Sequence, residues 1–296
     1  MSHHPHRLTS TIPTSRQQGV TLIELMVGIA IGLLVIAVAM GALMVSRGVS
    51  STVSEASTLQ QQASYAFRVI GQQIRQAGSM ELRLTPDFIP TTGLYPLVPV
   101  AFDPPDPTGQ IPPFDRKAST LTGDTSPTLS FTVGYQNYTE TVTPPPSSGA
   151  SASTTPVTSS LLRDCLGQNK ALSSGGSLTS TPVLTSTFKR NSNNELVCEG
   201  AGSSGAQAII GNVTDMQVRY IEQAAGTANL QYRTSADPGE WTNIYAIEVC
   251  LELTGTEHTP TASATYKNCS GADTSYGDRL KMVFRNVYQI RSQGQV

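Results

Sequence analysis

A long apolar run and a regularly spaced apolar face dominate the first quarter of the chain. Residues Leu25 to Val45 include no charged side chain. As a helix, this run would rise about 31 Å, which matches the hydrocarbon core of a bilayer. Beyond it, apolar residues recur every three or four positions, the spacing of one helix face. These residues are Val49, Val53, Ala56, Leu59, Ala63, Phe67, Ile70, Ile74 and Ala77.

The spacing predicts that one helix continues from the apolar run to about residue 77. Its other faces are expected to hold the polar residues Gln60, Gln61, Ser64, Arg68, Gln72, Gln73 and Arg75. Gly78 is typical of a helix end, with Pro86 beyond it. A helix from Val20 to Ala77 would be about 87 Å long. A membrane anchor followed by a separate helix gives the same pattern from residue 49 onward, so the second half of the pattern does not distinguish the two.

After Gly78 the pattern changes to short runs in which apolar and polar residues alternate. The apolar positions are Leu129, Phe131, Val133 and Tyr135; Met216, Val218 and Tyr220; Tyr245, Ile247, Val249, Leu251 and Leu253; and Leu280, Met282 and Phe284. A bulge is predicted at Asn286, before Tyr288 and Ile290. One apolar face per run is typical of antiparallel strands. The Pro-rich region 86–117 and the stretch from Thr143 to Ser160 are predicted to be irregular loops.

The predicted fold class is therefore α+β. A long N-terminal helix, half transmembrane and half amphipathic, would pack on an antiparallel β-sheet head. The predicted segments are a basic leader (1–19), the transmembrane half of the helix (20–45), its amphipathic half (46–78) and a β-rich head (79–296).

Composition and charge narrow the function classes. Charged residues make up only 14% of the chain, against about 25% in soluble domains. The net charge is −2, and no basic stripe is present, so no nucleic-acid partner is predicted. The two leader arginines, Arg7 and Arg16, precede the apolar run, which predicts that the short N-terminal side stays cytoplasmic and that the head is exported.

Glu24 is an acid at the start of an apolar segment. Burying an unpaired carboxylate in lipid costs at least about 2.5 kcal/mol, so it needs a partner or a position near the interface. A cleaved secretory signal is disfavoured, because its apolar region is about 7 to 15 residues long.

The segment from Gly19 to Val27, with the sequence GVTLIELMV, resembles the class III signal of type IV prepilins. The resemblance implies that a prepilin peptidase cuts between Gly19 and Val20 and methylates the new amine of Val20. It also implies that Glu24 pairs with that amine and sets the register between subunits during assembly. The alternative is an incidental acid whose side chain snorkels to the interface. Most members have Phe where this chain has Val20.

Three segments of the predicted head resemble the PilW group of minor pilins and the J-type pseudopilin of type II secretion. They are Asn212 to Tyr220, Ile244 to Leu253, and the C-terminal run that begins at Arg279. The resemblance implies a minor pilin that primes assembly of a type IV pilus. Its partners would be prepilin peptidase, other minor pilins, the major pilin and a tip adhesin. It would first lie in the bacterial inner membrane, with its head in the periplasm, and would then become part of the pilus fibre. A type II secretion pseudopilin and a membrane-tethered adhesive module are the alternatives.

Four cysteines, Cys165, Cys198, Cys250 and Cys269, would all lie on the exported side. Disulfides are expected there, and four cysteines allow three pairings. Sequence proximity favours Cys165 with Cys198 and Cys250 with Cys269. A zinc site is the alternative, but no C-x-x-C pair occurs.

The sequence predicts no enzyme activity, cofactor or metal. After the leader, His258 is the only histidine, and the chain has no common nucleophile, zinc or nucleotide motif. Gly200 to Gly205 is glycine-rich but lacks the Lys of a phosphate loop. Asp103 and Asp106 lack the spacing of a calcium loop. Asn137 begins a glycosylation triplet, a common pattern in a chain rich in Ser and Thr.

Overall fold

The computed structural model describes thirteen segments of the chain. They are residues 19–80, 82–83, 101–102, 114–123, 130–138, 140–142, 157–160, 162–169, 183–202, 205–223, 229–233, 241–258 and 264–290. The longest element is helix α1, Leu22–Gln76. The chain divides into two compact units, Met1–Ser51 and Thr52–Val296, and α1 contributes residues to both. The first unit, as described, is helical from Leu22 onward, and the second unit holds the strands.

The other described elements of the second unit are shorter than α1. They are helix α2 (Arg116–Ser119), a 3-10 turn (Trp241–Asn243) and the strands β1 (Leu82–Arg83), β2 (Ala101–Phe102), β3 (Leu121–Gly123), β4 (Phe131–Gln136), β5 (Glu140–Val142), β6 (Val157–Ser159), β7 (Val183–Arg190), β8 (Leu196–Gly200), β9 (Ala206–Ile210), β10 (Val213–Gln223), β11 (Leu230–Arg233), β12 (Ile244–His258), β13 (Thr265–Lys267), β14 (Asp273–Ser275) and β15 (Arg279–Gln289).

The strands form two main sheets. The five-stranded sheet has the order β3-β4-β7-β8-β9, and the four-stranded sheet has the order β11-β10-β12-β15. The pairs β1-β2, β5-β6 and β13-β14 stand apart from them. All pairings between the described strands are antiparallel. The predicted class, a long N-terminal apolar helix with antiparallel sheets, is confirmed.

Helix α1 ends next to Gly78, as the sequence predicts. Gly78 has a φ of 70°, a left-handed conformation that costs glycine little. Its N–H donates to the carbonyl of Gly134 at 2.8 Å, and the N–H of Ser79 donates to the carbonyl of Gln76 at 2.9 Å. The helix end is therefore joined to β4.

One core in the second unit joins α1 to both sheets. Leu59, Ala63, Ile70 and Ile74 of the helix are buried with residues of both sheets. Phe131 and Phe188, on neighbouring strands of the five-stranded sheet, stack with ring centroids 5.3 Å apart. From the four-stranded sheet the core includes Met216, Val218, Tyr220, Ile247, Val249, Leu251 and Leu253.

Two predictions about the helix faces are wrong. Val49 and Val53 are 61% and 64% exposed, although they continue the apolar spacing. Gln73, expected on a solvent face, is only 4% exposed. The apolar spacing continues beyond the part of the helix that the core covers, and Gln73 is buried because hydroxyl groups of the five-stranded sheet bond to its amide.

The predicted strand runs fall within β4, β10, β12 and β15, apart from Leu129, which lies outside the described residues, but the bulge at Asn286 is wrong. The register between β12 and β15 is continuous from Ala246–Gln289 to Thr254–Lys281, and Asn286 pairs directly with Val249. Asn286 is an exposed polar residue on an edge strand, so it interrupts the apolar pattern without interrupting the backbone ladder.

Parts of the predicted loops have regular structure. Ala101–Phe102 and Val157–Ser159 are strands that pair with β1 and β5. Arg116–Ser119 is a helical turn whose N-cap, Asp115, accepts from the N–H groups of Lys117 and Ala118. These short elements form because of backbone pairing between strands and capping of the helical turn, neither of which gives a periodic apolar pattern in the sequence. Most of both predicted loops lies outside the described residues.

Candidate functional site

The first turn of α1 is closed by a reciprocal pair of side chains. The carboxylate Oε2 of Glu24 accepts from the backbone N–H of Thr21 at 3.1 Å and from its hydroxyl at 3.0 Å. The hydroxyl of Thr21 accepts from the N–H of Glu24 at 3.3 Å. This is a capping box, in which two otherwise free helix-end donors are satisfied. Its sequence signal is Thr-x-x-Glu before an apolar run.

Gly19 and Val20 precede this turn and are exposed. The predicted cleavage bond and the carboxylate of Glu24 therefore lie within a few residues of each other, at the start of the helix.

The helix surface after the cap is apolar and uncovered within its own unit. The side chains of Leu25, Ile29, Leu33, Ile36 and Met40 are all more than half exposed. Among the described helices, α1 is long and apolar enough to cross a membrane. A Cβ at Gly28 or Gly32 would contact nothing within 4 Å, so packing within the described chain does not require these glycines.

In the second unit, Gln73 joins α1 to the five-stranded sheet. Its Oε1 accepts from the hydroxyl of Tyr135 at 3.2 Å and from that of Ser186 at 3.0 Å. The Tyr135 hydroxyl also lies against the carbonyl of Arg163. Burial raises the pKa of Tyr135 well above its usual range, so the phenol stays protonated and donates.

The first disulfide joins Cys165 to Cys198, with Cα atoms 6.3 Å apart. Next to it, the buried carboxylate of Asp164 accepts from the N–H groups of Leu166 and Gln168, both at 2.9 Å, and of Ala201 at 3.0 Å. A Cβ at Gly200 would overlap this carboxylate. Gly200 therefore makes room for Asp164.

The second disulfide joins Cys250 of β12 to Cys269, with Cα atoms 5.8 Å apart. Arg219 donates to the carbonyl of Cys269 at 3.2 Å, and Arg285 donates to the same carbonyl at 3.1 Å. Glu248 lies between the two guanidinium groups, 3.6 Å from Arg219 and 3.4 Å from Arg285. The two arginines thus hold the segment that carries Cys269, and Glu248 links them.

The pairing that sequence proximity favoured is confirmed for all four cysteines. Asp164 and Gln73 were missed, because their roles depend on distant backbone donors and hydroxyls that the fold brings together. The Thr21 cap was missed although its signal is local. Asn137 is buried. His258 is exposed, with its Nδ1 2.9 Å from the carboxylate of Asp278. Asp103 and Asp106 lie outside the described residues.

Comparison with known proteins identifies the N-terminal segment. Residues 14–40 match the model of the prokaryotic N-terminal methylation motif. The matched range contains Gly19, Val20, Thr21 and Glu24.

No curated protein matches the chain significantly. A type IV-like pilin from Thermus thermophilus is similar in structure, with 10% sequence identity and a TM-score of 0.35, over 80% of this chain and 98% of that one. A TM-score this low does not establish a common fold. The chain therefore has an N-terminal methylation motif that extends into the exposed apolar part of the long helix α1.

Proposed function

We propose that this protein is a PilW-type minor pilin, which is processed by prepilin peptidase and helps to start and assemble a type IV pilus. The match of residues 14–40 to the N-terminal methylation motif carries the proposal. Cleavage would occur between Gly19 and Val20, and methylation at the new amine of Val20. The reaction belongs to the peptidase, and this chain supplies its substrate.

The carboxylate of Glu24 would pair with the amine that cleavage creates at Val20, in the same chain or in a neighbouring pilin. In lipid both ions lose their hydration, so each favours a close partner. The capping box supports this role, because it holds the carboxylate at the start of the helix through Oε2. Oε1 would then receive the ammonium group.

The apolar part of α1 would first anchor the protein in the inner membrane and then pack among the helices of other pilins. Its uncovered side chains, and the open space beside Gly28 and Gly32, support packing against other molecules. The basic leader places the N-terminus in the cytoplasm and the head in the periplasm. Two disulfides fit that oxidising compartment.

The arrangement of the head supports the minor-pilin assignment. The three segments that resemble PilW-type proteins fall on β10, β12 and β15, which are neighbours in the four-stranded sheet. They form one continuous piece of structure. The partners would be prepilin peptidase, the other minor pilins, the major pilin and a tip adhesin.

Mass spectrometry of the mature N-terminus, on protein purified from its native cells, tests processing. We expect a chain that begins at Val20 with one added methyl group. An intact Met1, or a chain cut after residue 45, would exclude the proposal. Deleting the gene then separates two assemblies: loss of pili supports a minor pilin, whereas loss of protein secretion with normal pili supports a type II secretion pseudopilin.

A further inference from the structure

The first buried side chain along α1 is a carboxylate. Glu55 is 8% exposed, and it is the only charged residue between Gly48 and Phe67. The helix residues of the apolar core begin one turn later, at Leu59. A carboxylate where the helix becomes buried needs an explanation, because a buried ion loses its hydration and must find hydrogen bonds.

The partners of Glu55 belong to one short segment of β12. Its Oε1 accepts from the backbone N–H of Glu257 at 2.7 Å and from the hydroxyl of Thr256 at 3.5 Å. Its Oε2 is buried and has no hydrogen-bond partner in the described parts of the chain. A Cβ at Gly255 would overlap the carboxylate. The carboxylate is thus held through one oxygen, in a space that requires glycine.

The same segment is where β12 and β15 lose their regular pairing. The ladder is regular up to Thr254–Lys281 and next pairs His258 with Arg279. Three residues of β12 therefore face one residue of β15. The N–H of Glu257 lies in this irregular stretch, and the helix side chain of Glu55 bonds to it.

The apolar face of α1 does not by itself determine which turn packs on the sheet. Val53 continues the same spacing, yet it is exposed, whereas Leu59 and Ala63 are buried. The later turns of α1 are fixed to the sheets by the hydrogen bonds of Gln73 and by the Tyr288 ring against Gly71. At the first packed turn, a polar group with one matching donor fixes the position of the helix, as buried polar residues fix register in other helical proteins.

We propose that Glu55 is a positioning residue that fixes the first packed turn of α1 on the four-stranded sheet. Its carboxylate accepts the backbone N–H that the irregular end of β12 presents, and so selects Leu59 as the first turn of the apolar core. Charge is not the essential property, because Glu55 uses one oxygen as an acceptor.

Hydrogen–deuterium exchange of the full mature chain in lipid nanodiscs, followed by mass spectrometry, tests this proposal. In Glu55→Ala we expect about tenfold faster exchange in peptides that contain Glu257 and in residues 52–59, since one hydrogen bond is lost. Exchange at Ile70, Ile74 and the β4 and β7 peptides should not change. Glu55→Gln keeps the acceptor and should exchange like the wild type.

Glu257→Ala is the matched control, because alanine keeps the backbone N–H that donates to Glu55; it should exchange like the wild type. If Glu55→Ala does not fold, Gly255→Ala supplies the second variant: its Cβ displaces the carboxylate, and it should give the same local acceleration. Three results would overturn the proposal. The first is unchanged exchange at Glu257 in a folded Glu55→Ala or Gly255→Ala variant, and the second is uniform acceleration across both sheets. The third is a Glu55→Gln variant that exchanges like Glu55→Ala. Because no pili are involved, the result is independent of the proposed function.

Discussion

The ring of Tyr288, on β15, lies across Gly71 of α1. A Cβ at position 71 would be 2.7 Å from Cε1 of the ring, closer than side chains normally approach. The Tyr288 hydroxyl also donates to the backbone carbonyl of Phe67 at 2.7 Å. Glycine in a helix costs about 1 kcal/mol relative to alanine, and here the aromatic ring requires it. The last described strand is thereby fixed to the first helix.

Gly71→Ala should destabilise the protein despite the better helix propensity of alanine. The new methyl group would displace the Tyr288 ring and weaken its hydrogen bond, and overpacking typically costs about 1–3 kcal/mol. Urea unfolding of the mature protein measures the free energy. Gly48→Ala is the control, because a Cβ there contacts nothing within 4 Å; it should be neutral or slightly stabilising. Equal effects at both positions would contradict this account of Gly71.

Tyr288 should also make the free energy of unfolding fall at high pH. Burial raises the pKa of Tyr288 to about 12, from an ordinary value of about 10. The folded state therefore favours the protonated phenol, and this contribution is complete below pH 10 and falls as the pH rises through 12. Unfolding free energies between pH 9 and 12 should fall less steeply in Tyr288→Phe. The unfolding free energy of Tyr288→Phe should still depend on pH, because burial also raises the pKa of Tyr135. Identical slopes would contradict the prediction.

The helix and the central strands could be predicted from the sequence because their signals are local. The predicted helix from Val20 to Ala77 differs from Leu22–Gln76 by one or two residues at each end. Regular alternation located β10 and β12. Strand β7 was missed, although its buried and half-buried residues alternate, because three of its positions are Thr or Ser, including the fully buried Ser186. Its burial depends on the helix that packs against it.

The candidate site was partly predictable for a related reason. Gly19, Val20 and Glu24 form a contiguous motif that needs no tertiary structure. The role of Asp164 could not be predicted, because one of its three donors, the N–H of Ala201, is 37 positions away along the chain. Glu55 and Glu257 are still farther apart, by 202 positions. Such contacts leave no periodic pattern in a single sequence.

Asp164→Asn tests whether the carboxylate organises the loop beside the first disulfide. The carboxamide can accept through one oxygen only, so the N–H of Ala201 would lose its partner, which costs about 1–3 kcal/mol in a buried site. Asp115→Asn is the matched control, since asparagine caps a helix nearly as well as aspartate. Thermal unfolding should show a clear loss for the first variant and little for the second. Similar losses would contradict the role of Asp164.

The two disulfides should differ in their rates of reduction. Cys165 is half-buried, whereas Cys250 and Cys269 are both buried, and two arginines hold the segment that carries Cys269. Thiolate attack requires access to a sulfur. With limiting reductant under native conditions, we expect alkylation at Cys165 and Cys198 first, as measured by peptide mapping. Earlier labelling of Cys250 and Cys269 would show that the four-stranded sheet opens more readily than its contacts indicate.

Replacing Glu24 separates its two roles, capping the helix and supplying a charge. Glutamine at this position also completes a capping box, so Glu24→Gln keeps the cap and removes the charge, whereas Glu24→Ala removes both. Thr21→Val keeps the charge and removes the hydroxyl that caps the helix. If the pair with the amine of Val20 directs assembly, both Glu24 variants should lose pili by electron microscopy, with normal amounts of processed protein in the membrane, and Thr21→Val should retain them. Normal piliation in Glu24→Gln would instead assign the function of Glu24 to the cap, because the helix start would then be all that assembly needs from this residue.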